Sequence, residues 1–422
     1  MKRISLFFVI VFICFSSFAQ RFTSFSQDPL LTVAEMKEFS QTVPKEKAKE
    51  AEQLLRDFTQ FWESEVMDDQ LQRSFIDVSN MMLRKNMRML PHFEAYIRAF
   101  AAFAESDYAD NQREWLQILQ YHVNNDASTF HLEMDNYINI FNYGILYQSA
   151  NSRWTAYGGI DKMGVKDEPF FMFSNIKLVG SSRQDSVEIF STNGTYFPAT
   201  ERFRGEGGTI YWTRAGLTED VKATLAQYEI DARSPKITAE EVLFYYPDYF
   251  AQPLKGRLEE KAGLETSEEK AKYPRFTSYD KLLAIKNIYK NVDYVGGFEM
   301  RGASIMGSSH NDTLAKIFIT KKDKRIIAVQ AQNYMFKKES VLANDARVVI
   351  YMEEDSIYHP AADFRYNEIS GELLISRNKN GIGRSPFFDS YHKMDIYAET
   401  MSWVVTEERI EFKNLPGQTS SS

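Results

Sequence analysis

Cysteine occurs once in the 422 residues, at Cys14. It lies inside the apolar run from Ile4 to Phe15, behind Lys2 and Arg3 and ahead of Ser16-Ser17-Phe18-Ala19. That order of charge, apolar core and small residues is a secretory signal peptide over residues 1–19, cut after Ala19. The run falls short of the roughly 18 apolar residues that a transmembrane anchor needs, and Ile13 ahead of Cys14 is not the small residue that lipid attachment wants. Cleavage leaves a chain without cysteine, which excludes a disulfide, a thiolate nucleophile and a cysteine-ligated zinc. No later segment is apolar for long enough to span a bilayer, so an integral membrane protein is not expected within these residues. Basic residues do not predominate either. The chain has 50 Lys and Arg against 58 Asp and Glu, a net charge of −8, which becomes about −10 once Lys2 and Arg3 are lost. Nucleic acid is therefore not an expected partner, and neither is attraction to an anionic lipid surface.

Catalytic and metal chemistry is equally thin. The histidines, His92, His122, His131, His310, His359 and His392, include no pair at the i,i+4 spacing of a helical metal site. No metal or cofactor is expected. His359 precedes Pro360 and reads as a strand or corner histidine bonded to backbone. Phe203-Arg-Gly205-Glu-Gly207-Gly208 has the glycines of a phosphate-cradling loop without the helix that must follow, so they read as corner residues. Asn380-Gly381-Ile-Gly383-Arg384 offers backbone amides and Arg384 to an anion, yet reads as a loop. Glu240 with Glu241, and Glu353 and Glu354 with Asp355, are neighbours that a strand points to opposite faces, whereas glycoside hydrolysis needs acids converging on one cleft. They read as solvated edges that deter strand pairing. No catalytic residue is assigned, and an enzyme is not expected.

What is present is pattern. From about Leu31 to Tyr147 apolar residues recur at helical spacing: Leu54, Leu55, Phe58, Phe61 and Trp62, then Met81, Met82, Met89, Phe93, Ile97, Phe100 and Phe103, then Trp115, Leu116, Leu119 and His122. Thr32-Val-Ala-Glu35 reads as a capping box. The Met-rich stretch from Asn80 to Met89 reads as core packing rather than as an adaptable binding surface. A helical bundle over 28–148 is expected. After Ser152 the texture turns β-rich, and an octet recurs: large, any, small, any, any, small, any, large. Instances start at Ile189, Phe203, Val221 and Val341, with one small slot filled by a larger residue in those from Ile237, Phe298, Val329, Ile357 and Ile396, and a loose match from Phe171. From Ile189 to Ile237 they start 14, 18 and 16 residues apart, and from Val329 to Ile357, 12 and 16 apart. Such spacing suits a strand, a corner and a returning strand. Small residues let backbone layers turn or approach, and large ones fill the space between two sheets. The expected fold is α+β and multidomain: an N-terminal helical bundle followed by an elongated two-sheet β-repeat resembling a β-solenoid. Its parts are expected at 153–250 and 282–412, separated by a charged, helix-prone insertion at 251–281. The residues 413–422 read as a tail, with no terminal cap after the last strand, as expected of a truncated chain.

The units Val329 to Phe336 (VQAQNYMF), VLANDARVVI from Val341 and IYHPAADFRYNE from Ile357 resemble the OstA-type repeat of bacterial lipopolysaccharide transport, over roughly 170–405. The Ser-Ser-Phe-Ala-Gln ending of the leader resembles Bacteroidetes signal sequences. The resemblance implies a V-shaped stack of two sheets, a β-taco, acting as a noncatalytic scaffold exported to the periplasm or associated with the outer membrane. Its implied partners are lipid or lipopolysaccharide and other envelope proteins. Acyl chains would lie in a groove between the sheets, lined here by Ile189, Tyr196, Phe203, Ile210, Phe298, Ile305, Phe336, Val348 and Phe364. The chain departs from the family in its helical front, its irregular insertions and its lack of an outer-membrane barrel portion. A carbohydrate-active β-helix enzyme and a surface adhesion module are the alternatives. Asp185-Ser186-Val187, Asp312-Thr313-Leu314 and Asp355-Ser356-Ile357 resemble an O-glycosylation signal of exported Bacteroidetes proteins.

Overall fold

The computed structural model describes residues 22–125, 127–263, 271–378 and 381–414. The expected leader with Cys14, Asn380 and most of the expected tail lie outside the described residues. The chain divides into two compact units, one with the helices together with residues 163–169, the other with the rest of the β-rich chain from Tyr143.

The helical unit contains α1 (Thr32–Ser40), α2 (Ala48–Trp62), α3 (Asp69–Arg84), α4 (Glu94–Ala104), α5 (Gln112–Asn125) and α6 (Phe130–Tyr143). The apolar stripes face inward. Phe75 stacks on Tyr96 at 4.7 Å and meets Phe58 and Phe100 at 5.4 and 5.3 Å. Trp115 gathers Phe103, Tyr137 and Phe141 at 5.2–5.4 Å. Met82, Met87 and Met89 are buried, as core packing requires. Asp68 caps α3, accepting from the amides of Gln70 and Leu71. The expected capping box is not formed. Thr32 is buried within the first turn with its hydroxyl unpartnered, and Glu35 accepts from the Ser26 amide instead. The preceding extended segment reaches Glu35 first, so the carboxylate has no need of the helix end.

The helical stretch stops at Tyr143, earlier than the expected 148, because Ile145–Gln148 is a strand paired with Arg153–Tyr157. Gly144 makes the exit with φ +64°, and a Cβ there would sit 2.4 Å from the Ala156 carbonyl oxygen.

In the β-rich unit every described strand pairing is antiparallel, from Ile145–Gln148 to Ile410–Lys413. The long strands change partners midway. Val292–Arg301 pairs through its first half with Ala315–Lys321 and through its second with Ser304–Ser308. In Ser340–Met352, Val341 and Leu342 pair with Asn333–Phe336, whereas Arg347 to Ile350 pair with Lys324–Ala331. Asp355–Asn367 divides itself between Phe387–Asp389 and Glu372–Arg377. Asp185–Phe197 does so between Thr209–Tyr211 and Arg202–Glu206. Two ladders thus share long strands that bend from one to the other.

The octet marks the bends. In all instances but one it spans a bulge or the join between two consecutive strands that do not pair with each other. Ala343 and Ala346 flank the register shifts of Ser340–Met352, with Asp345 at φ +50° between them, and Ala346 lies opposite Ala362. Asn175, Glu241 and Gly207 hold the same fifth position of their octets, also with positive φ. Small side chains sit where the backbones close on each other, and a bulge supplies the turn. The exception begins at Phe298, where Gly302 makes a hairpin turn between Val292–Arg301 and Ser304–Ser308.

The expected insertion at 251–281 is corrected over its described residues, which contain two strands, Leu254–Lys261 and Arg275–Ser278, paired with each other. The ladder therefore runs on from 153–250 toward 282–412 through these two strands. The charges of KGRLEEK misled because a two-residue period puts all of them but Glu260 on one face. Arg257 there meets Glu240 and Glu259 at 3.3 and 3.2 Å, while Gly256, Leu258 and Glu260 turn inward.

Candidate functional site

All nine positions assigned to the groove point inward, none of them more than 5 % exposed. Tyr196 and Phe203 are register partners, and Phe203 lies 6.4 Å from both Phe173 and Tyr228. Ile189 and Ile210 flank the pair Phe190 and Thr209 on neighbouring strands. Phe298 meets Phe244, Phe250 and Phe276 at 5.1–6.4 Å. Ile305 is the partner of Phe336, which packs on Tyr289, Tyr294 and Tyr334. Val348 pairs with Val329 and His359, and Phe364 with Ala343 and Ile375. These residues follow the ladder rather than gather at one place, and their own side chains fill the space they face.

The polar candidates stay apart. His359 Nε2 lies 2.9 Å from the Ser385 carbonyl oxygen, and its Nδ1 accepts from the Ala361 amide, so both ring nitrogens serve backbone. Burial pushes its pKa down. Gly207 and Gly208 form the corner after Arg202–Glu206, with φ +70° and +108°, and a Cβ on Gly208 would crowd Ile189 at 2.8 Å. Glu240 accepts from the Tyr279 hydroxyl at 2.6 Å on an exposed face, and Glu353 and Glu354 occupy the exposed turn between Ser340–Met352 and Asp355–Asn367. Gly381–Arg384 is a short 3-10 turn. Of the three hydroxyls in glycosylation-like triplets, Thr313 is exposed, while Ser186 and Ser356 are half-buried. Among the described residues no group of three or more His, Cys, Asp or Glu is placed to hold a metal ion.

One polar constellation was missed from the sequence. Glu260 is the one acid in the inward series Gly256, Leu258, Glu260, Ala262 and is 2 % exposed. Arg214, in the 3-10 turn Thr213–Ala215, approaches its Oε1 at 2.7 Å and also donates to the Lys261 carbonyl. The same guanidinium donates to Asp185 Oδ1 and to the Ser186 carbonyl at 3.0 and 2.9 Å. The Lys261 amide donates to Glu260 Oε1 and the Gly263 amide to Asp185 Oδ2. Glu260 Oε2 is buried and has no hydrogen-bond partner among the described residues. Loss of hydration pushes the Glu260 carboxyl up to about 8. Asp185 adds to the rise, and Arg214 and the Lys261 amide oppose it. A recess of about 300 Å³ opens beside the pair, walled by Val187, Phe190, Ile210, Tyr211 and Pro274. Phe190 and Tyr211 meet edge to face at 5.3 Å. The signal available in the sequence was an acid in an inward slot of a two-residue alternation.

No family model matches the chain, and neither does any curated protein or solved structure.

Proposed function

We propose that the chain is a noncatalytic, exported scaffold of the cell envelope, built as an OstA-type two-sheet repeat whose apolar interior shelters lipid acyl chains. The observation that carries this reading is the coincidence of the octet with the bends. Small residues such as Ala343, Ala346, Ser191 and Gly194 stand where the long strands shift register, and the large apolar residues on either side are buried. Such an interior suits acyl chains, which ask for apolar area and no specific polar partner. The nine inward side chains now occupy it, so acyl chains enter when the two ladders part along an edge.

The test is the lipid content of the protein itself. The full chain, purified from the envelope of its native host and extracted with organic solvent, is expected to release acyl lipid in fixed proportion to protein. Protein that emerges free of lipid, and that takes up none from mixed phospholipid micelles, would leave a scaffold without a lipid path.

A further inference from the structure

An interior filled by its own side chains must open to take a ligand, and the contacts between hairpin tips mark where. From Leu283 onward one ladder runs through Leu283–Tyr289, the first half of Val292–Arg301, Ala315–Lys321, Lys324–Ala331 and the second half of Ser340–Met352. The other runs through Asn333–Phe336, the first half of Ser340–Met352, the second half of Asp355–Asn367, Glu372–Arg377 and Thr400–Val404. At the bends the two are joined by backbone, since Ser340–Met352 and Asp355–Asn367 pass unbroken from one to the other. That side cannot part without tearing strands from their partners. On the far side each ladder ends in hairpin tips, and there side chains make the joins.

Tyr289 ends its strand at a tip of the first ladder. Its hydroxyl donates to the carbonyl oxygens of Lys337 and Ser340, the latter at 3.0 Å, at a tip of the second. The Lys290 amide donates to Glu368 Oε1 at 3.1 Å, and Lys321 Nζ donates to the Val405 carbonyl oxygen at 2.7 Å. Glu368 and Val405 each directly follow a strand of the second ladder. Tyr289 is buried and its ring lies 6.0 Å from Phe336, one of the nine inward residues, so this join closes directly over the apolar interior. Hydrogen bonds of this kind exchange for bonds to water when the tips separate, and an entering acyl chain covers the apolar area that separation exposes. Resting on the lipid reading, we infer that acyl chains enter between these tips and that Tyr289 and Lys321 latch the seam.

The experiment compares the full chain with Tyr289→Phe, which keeps the ring, and Lys321→Met, which keeps the apolar stem. Hydrogen exchange read by mass spectrometry should be about threefold faster over 337–340 and 367–369 in the first variant and over 404–406 in the second, with the bend at 343–346 unchanged. Uptake of a pyrene-labelled acyl chain from phosphatidylcholine vesicles should be about threefold faster in both, with the amount held at saturation unchanged. Exchange unchanged at the tips, or raised at the bend instead, would overturn the latch. A parent chain that takes up lipid at a rate neither variant alters would overturn entry at this seam and leave the lipid reading standing. A parent chain that takes up none would overturn the lipid reading and this inference with it.

Discussion

At the scale of single residues, Glu260 is where the chain spends stability. Its pKa of about 8 lies above the ordinary 4.5. Below pH 4.5 both folded and unfolded chains hold the proton and burial is tolerated. From 4.5 to 8 the unfolded chain releases the proton while the folded one retains it, so stability declines across that window and levels off above it. Glu260→Gln, which keeps the shape and removes the charge, should therefore compare better with the parent at pH 9 than at pH 5 in thermal unfolding. A difference independent of pH would show that the acid is not perturbed. Removing the other partner does the opposite. Breaking a buried ion pair costs about 3–5 kcal/mol, but Arg214 is partly exposed and Glu260 can hold a proton instead, so Arg214→Ala should cost ~2 kcal/mol near neutral pH in urea unfolding. The inward slot of Glu260 was legible as alternation. Its partner was not, because Arg214 reaches it from 46 residues away through a turn that no local pattern announces.

At the scale of elements, the octets were legible because bends impose a local demand: little side-chain volume at the corner, much on either side. Ala346, fully buried opposite Ala362, carries that demand most plainly. Ala346→Leu should cost about 1–3 kcal/mol by overpacking, measured by urea unfolding, whereas Val349→Leu on the less buried side of the same strand should be near neutral. Equal tolerance at the two sites would remove the packing argument for the corner. The same reading failed at Leu254–Lys261, where charge density suggested helix. Cross-strand ion pairs on one face made those charges compatible with a strand, and such pairs depend on Glu240 and Lys236 from a neighbouring strand, which composition alone does not place. The buried stripes of the helices were readable from apolar spacing. The exit at Gly144 was not, since Ile138, Ile140, Ile145 and Leu146 continue the apolar texture on both sides of it.

At the scale of the whole molecule, the division into helices followed by an antiparallel β-rich unit was visible in the change of period after Ser152. The pairing order was not, because each long strand serves two ladders and only its bends are written locally. If lipid is held by the apolar interior and not by headgroup attraction to an acidic chain, its uptake should change less than twofold between 0.05 and 0.5 M salt, since screening acts on charges and leaves apolar burial in place. A steep loss with salt would point to headgroups. The most direct measurement is site-specific photocrosslinking in cells of the native host. Probes belong at the buried Phe203, Val348 and Phe364, with controls at the exposed Arg204, Arg347 and Arg365. The account predicts lipid adducts at the first three and none at the controls. Adducts to protein alone, or none at the inward positions, would contradict a lipid path between the ladders.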